Sequence, residues 1–187
     1  MSIAGNGAVL ENANPTFTVS INQVLKDDLI VRLSGDASVT IKAGQTSALY
    51  TAPIQGDDVY KDGGFVTATV ADASVPGKTF EFLIVSPLPG VVLVGDTTSE
   101  VIATLTADKT SVEEGGSITY TVTLKGPDGI PIGNHAPLTF TLSDGSKITI
   151  DANSLTGKVT VPVANDVYVS APVTNSLTGV SGDDNFE

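Results

Sequence analysis

The chain has no cysteine and no tryptophan, one histidine, one methionine, and only 9 lysines and arginines in 187 residues. Without cysteine there are no disulfides, no thiolate zinc sites and no sulfur nucleophile, and the composition is compatible with any redox compartment. Aromatics at 5% give little to stack on a sugar ring, which makes a carboxylate-pair glycosidase a poor fit. The lone His135 has no Gly-x-Ser-x-Gly elbow to work with, and no Gly-x-x-x-x-Gly-Lys phosphate loop occurs, so the chain does not read as an enzyme. No run of about 18 apolar residues occurs, and the first basic side chain is Lys26. Neither a membrane span nor a Sec signal peptide is therefore expected. With 21 acidic residues the net charge is −12, which repels phosphate backbones, excludes nucleic acid as a partner and favours cations.

What remains is a composition that folds. Charged residues are 16% and hydrophobic ones 41%, enough apolar surface to build a core. Valine and threonine are abundant, and β-branching suits pleated strands better than helices. From Thr16 to Ile21, Phe17, Val19 and Ile21 fall on one face and Thr16, Thr18 and Ser20 on the other, the period of a half-buried strand. The same alternation predicts strands over 29–33, 39–41, 49–54, 66–70 and 80–85. It predicts them again over 101–105, 118–124, 138–142, 147–150, 158–163 and 173–177. Gly, Asp, Asn and Pro clusters between them supply the turns.

The two halves repeat one another. Phe17-Thr-Val-Ser-Ile21 lies over Tyr120-Thr-Val-Thr-Leu124 and carries Glu11 onto Glu114; Val39-Thr-Ile-Lys-Ala43 lies over Ile148-Thr-Ile-Asp-Ala152. Pro53 meets Pro162, Asp58-Val-Tyr60 meets Asp166-Val-Tyr168, and Phe80-Glu81 meets Phe186-Glu187. The second copy carries extra residues near 126–134. Each half approaches the ~100 residues of an immunoglobulin-type sandwich. The reading is all-β: two tandem immunoglobulin-like β-sandwiches, 1–95 and 96–187, joined by a short extended linker at about 86–99. In that linker Ser86-Pro-Leu-Pro-Gly90 and Val91-Val-Leu-Val94 favour extension and stiffness. The second copy stops at Phe186-Glu187 where the first runs on, as expected of a piece of a longer array.

The run from Leu105 to Leu124, with Ile148-Thr-Ile, Val161-Pro-Val, Asn165-Asp-Val-Tyr168 and Gly179-Val-Ser-Gly-Asp-Asp-Asn-Phe-Glu187, resembles the immunoglobulin-like extender repeats of giant RTX adhesins. Those are type I secreted surface proteins of Gram-negative bacteria that act in biofilm formation. The resemblance covers most of 98–187 and, more weakly, 3–85. It implies a calcium-rigidified stalk on the bacterial cell surface, extracellular, holding adhesive domains away from the cell. The partners it implies are calcium ions and neighbouring repeats of the same chain, with the protein monomeric and not inserted in a membrane. Glu113-Glu114-Gly115-Gly116 and Asn165-Asp-Val-Tyr168 also look like Calx-β segments. The Gly-Gly-x-Gly-x-Asp nonapeptides of the RTX calcium roll are absent.

Topology says which carboxylates can meet. In a seven-strand sandwich the loops after the first, third and fifth strands gather at the pole where the last strand leaves. That pole would collect Glu11, Asp57, Asp58 and Asp62 in the first copy, beside Asp96 and Glu100, and Glu113, Glu114 and Asp166 in the second. There Asn165 replaces Asp57 and Ser170 replaces Asp62, weakening the site. Convergent carboxylates repel, and a hard divalent cation with six to eight oxygen ligands relieves them; Ca2+ fits better than magnesium or zinc. The competing reading for Asp57-Asp58 and Glu113-Glu114 is a solvated turn. Asp183 and Asp184, at the opposite pole, either meet an upstream domain or face water. Tyr60 and Tyr168 read as tyrosine-corner residues, and His135 as an exposed loop residue. The alternative function is a peptide- or glycan-binding module using the loop at 126–135, and a calcium sensor is a third.

Overall fold

The computed structural model describes residues 1–166, 172–182 and 185–186. About 46% of the described residues are in strand conformation, and they include no α-helix. By contacts the chain divides into two units, 1–57 with 62–97 and 58–61 with 98–187.

The first unit contains β1 (Ser2–Gly5), β2 (Ala8–Leu10), β3 (Thr16–Ser20), β4 (Leu29–Leu33), β5 (Ser38–Ile41), β6 (Ser47–Thr51), β7 (Gly64–Ala68), β8 (Val70–Ser74) and β9 (Gly90–Gly95). One layer has the order β1-β3-β6, all antiparallel. The other is assembled from β2-β9-β7 and β5-β4-β8, because β7 and β8 follow one another along a single stretch broken only at Thr69. The break coincides with a bulge between Arg32 and Leu33, and Ser34 fills it: its N–H donates to the Thr69 carbonyl and its hydroxyl accepts the Thr69 N–H. The first strand also splits. β1 joins one layer; after Gly7, whose φ of +96° suits glycine, β2 joins the other, parallel to β9.

Alternation explains the core. Phe17 and Val19 of β3, and Leu29, Val31 and Leu33 of β4, are buried while Ile30 and Arg32 face out. Ile3, Ile41, Ala68, Val70 and Val92 complete the cluster between the layers. The layers touch so closely that a Cβ on Gly5 would stand 1.9 Å from the Val91 carbonyl oxygen.

The second unit repeats the plan with β10 (Ile102–Ala107), β11 (Ser117–Lys125), β12 (Leu138–Leu142), β13 (Lys147–Ile150), β14 (Thr156–Pro162) and β15 (Leu177–Ser181). Its sheets are β10-β11-β14 and β13-β12-β15. These match β1-β3-β6 and β5-β4-β8, down to a bulge before the last residue of the central strand, here between Thr141 and Leu142. Ile118, Tyr120, Val122, Leu124, Phe140, Ile148 and Ile150 form its core. The 58–61 segment belongs to this unit: Tyr60 makes a single antiparallel bridge with Phe186, and the Lys61 N–H donates to the Asn185 carbonyl at 2.8 Å.

Three sequence readings change. The strand expected over 80–85 is irregular chain; Phe82 and Ile84 point into solvent, and the segment is held by the Met1 ammonium on the Ile84 carbonyl and the Ser86 N–H on the Met1 carbonyl. The stretch assigned to the linker at 86–99 contains β9, because Val92 and Val94 find a buried face between β2 and β7. In the second unit the strand expected over 173–177 begins only at Leu177.

Candidate metal centre

The end of β2 builds the site. Leu10 pairs with Gly95 across the parallel β2–β9 ladder, and the next residue, Glu11, continues it by donating its N–H to the Gly95 carbonyl at 2.9 Å. On its other side the Glu11 carbonyl accepts the Gly56 N–H at 3.1 Å. The backbone of Glu11 is thus clamped between the chain leaving β9 and the acidic loop after β6, and its side chain is fully buried.

Thr97 meets that side chain twice. Its N–H and its hydroxyl both reach Glu11 Oε1, at 3.1 and 2.9 Å, and the hydroxyl is also within hydrogen-bond reach of Asp57 Oδ1. A threonine hydroxyl carries one proton, so it cannot satisfy both carboxylates. Glu11 Oε2 is buried and has no hydrogen-bond partner at all. Glu11, Asp58 and Asp62 each place one carboxylate oxygen within 4.8 Å of the others. Asp58 Oδ1 accepts the Tyr60 N–H at 2.7 Å, Asp62 Oδ1 accepts the Gln55 amide at 2.7 Å, and Asp96 Oδ1 accepts the N–H groups of Asp62 and Gly63.

A buried, half-satisfied carboxylate beside further carboxylates is costly unless positive charge arrives. All the side-chain donors here are oxygens, which suits a hard cation of the calcium kind and offers zinc neither thiolate nor imidazole.

The structure brings Glu11, Asp57, Asp58, Asp62 and Asp96 of the sequence reading into this one network. Glu100 is exposed. In the second unit Glu113, Glu114 and Asp166 are exposed as well, although their segments adjoin: the Val163 N–H donates to the Gly116 carbonyl at 2.8 Å. Among the described residues no further group of three acidic or imidazole side chains converges as Glu11, Asp58 and Asp62 do. Asp183, Asp184, Tyr168 and Ser170 lie outside the described residues. Thr97 and Gln55 escaped the sequence reading. A threonine just past a strand end carries no signal of its own, and only the correct placement of β9 would have pointed to it.

His135 is a correction. It was expected on the surface and is 2% exposed, with Nδ1 2.7 Å from the Ala136 carbonyl oxygen, Nε2 2.7 Å from that of Ser154, and Phe186 against the ring. The turn at 151–154 covers it. Away from the cluster, hydrogen bonds hold two carboxyls below their ordinary range: Asp28 through the Lys42 ammonium and the Ala43 N–H, and Asp144 through the Ser146 hydroxyl and N–H and the Asn175 amide.

The model of one family, the LapA domain, matches residues 1–97 and then matches again over 100–187. The chain belongs to the LapA domain family. The two LapA domains agree with the repeated strand order, and the family, related to biofilm adhesins, points to a surface-adhesin role that is structural rather than catalytic. A comparison with curated proteins gave no match. Among solved structures, the crystal structure of CBD12 from CALX1.2 is similar over 100% of this chain and 84% of that one, with a TM-score of 0.38 and 9% identity. That likeness is too distant to transfer any property. No helix among the described residues of these LapA domains is long and apolar enough to cross a membrane.

Proposed function

We propose that the two LapA domains are extender modules of an RTX-type surface adhesin, exported by type I secretion, that hold adhesive domains away from the cell during biofilm formation. Calcium binds the acidic network around Glu11 and stiffens the chain that follows β9. The observation that carries this reading is Glu11, fully buried with Oε2 unpartnered. An unpartnered buried oxygen among carboxylates calls for an explanation, and a bound cation supplies one that also relieves the repulsion. Glu11, Asp58 and Asp62 would hold the ion, and bound calcium would supply the positive charge and oxygen coordination that these groups lack. The protein works as a monomer, with neighbouring repeats as its partners.

Thermal unfolding of the wild type and of Asp58→Asn, in millimolar calcium and in EGTA, tests this. A calcium-dependent rise in Tm of several degrees, reduced in the variant, is expected. An identical Tm in calcium and in chelator would show the carboxylates to be only an acidic surface.

A further inference from the structure

Resting on that cation reading, we propose that Thr97 is the positioning residue of the site and the element through which its occupancy reaches the chain leaving the first repeat. Thr97 closes the first unit, two residues past β9. It grips Glu11 with both its donors on the same oxygen, Oε1, so the oxygen left for an ion is Oε2, the one without a partner. Its hydroxyl is also within hydrogen-bond reach of Asp57 Oδ1, so before any cation arrives two mutually repelling carboxylates compete for its one proton.

The residue before it acts in parallel. Asp96 Oδ1 accepts the N–H groups of Asp62 and Gly63 on the far side of the acidic loop. Two consecutive residues of the departing chain therefore reach back into the ligand network, one to Glu11 and Asp57, the other to the Asp62 backbone. A cation that fixes Glu11 and Asp62 fixes Asp96 and Thr97 as well. Without it, one hydroxyl proton divided between two carboxylates is a weak tether.

The experiment is a calcium titration by calorimetry on the whole chain, as wild type, Thr97→Ser and Thr97→Val. Amide hydrogen exchange of residues 96–99, with and without calcium, accompanies it. Serine keeps the hydroxyl, so Thr97→Ser should bind within about twofold of wild type and show the same calcium-induced protection. Loss of a residue that orients a ligand weakens metal affinity by roughly ten- to a hundredfold; Thr97→Val should weaken by at least the lower figure and lose the protection at 96–99. Far-UV circular dichroism in EGTA checks that each variant is folded, and Thr97→Ala replaces the valine variant if it is not. Wild-type affinity and protection in the variant without a hydroxyl would overturn the role of Thr97 alone. A wild type that gives no calcium-dependent heat would overturn the cation reading and this inference with it.

Discussion

Replacing Glu11 by glutamine should stabilise the cation-free protein and remove most of its response to calcium. Glutamine keeps an Oε1 for the two Thr97 donors and puts an NH2 where Oε2 now sits without a partner, close to the carboxylates of Asp58 and Asp62. A buried polar atom left unsatisfied costs about 1–3 kcal/mol, and the amide supplies the missing donors. For a unit of this size each kcal/mol shifts Tm by roughly 4–8 °C, so Glu11→Gln in EGTA should melt at least about 4 °C above wild type. In calcium the gap narrows. At about tenfold excess over Kd one site contributes ~1.4 kcal/mol to the wild type, a gain the variant, short of one charged ligand, loses for the most part. Thermal melts of both proteins in EGTA and in calcium read this directly, and urea titrations confirm that the slope is unchanged. A variant that melts below wild type in EGTA, or that gains as much from calcium, would refute the reasoning.

Two further substitutions probe the second unit. Asp144 accepts the Ser146 hydroxyl and N–H and the Asn175 amide, so its carboxyl titrates below the ordinary value of 3.8 when folded. The unfolded chain binds that proton more readily, so the stabilisation is present above pH 3.8 and fades as pH falls through the lower folded value. Asp144→Ala should lower the urea midpoint at neutral pH and draw level with wild type in strong acid; a gap independent of pH would count against it. His135→Ala should destabilise the second unit by about 1–3 kcal/mol, because the imidazole is buried and reaches the Ser154 carbonyl. An unchanged denaturation midpoint would return His135 to the surface role its loop suggests.

The strands with a clean period of two were legible in the sequence, since Phe17 and Val19, or Leu29, Val31 and Leu33, can be buried together in only one way. Glu11 and Asp57-Asp58 could be placed at one pole from connectivity alone, without any knowledge of their contacts. Alternation failed where both parities are apolar. Phe80 to Val85 reads as a strand yet joins no sheet and only partly buries Phe80, Leu83 and Val85 against the core, whereas Val91 to Val94, hidden behind two prolines, takes the place between β2 and β7. Burial of single polar residues was out of reach for a related reason. Glu11 and Glu114 occupy matching positions in sequence, but Glu11 alone is roofed by residues 95–97, and that cover is a property of distant chain. His135 shows the same limit, its carbonyl partner coming from a turn nearly twenty residues on.

The parallel pairing of β2 with β9 has a mechanical consequence. The chain enters β2 at Ala8 and leaves β9 at Gly95, and in a parallel ladder these are opposite ends of the pair. Tension along the polypeptide therefore tries to slide one strand past the other, and the ladder bonds resist together in shear. An antiparallel pair pulled from one end would unzip bond by bond. The links from Glu11 to Gly95 and Thr97 stand at the downstream end of this clamp, where the load enters. A first repeat built this way meets a pulling force with its whole terminal ladder at once.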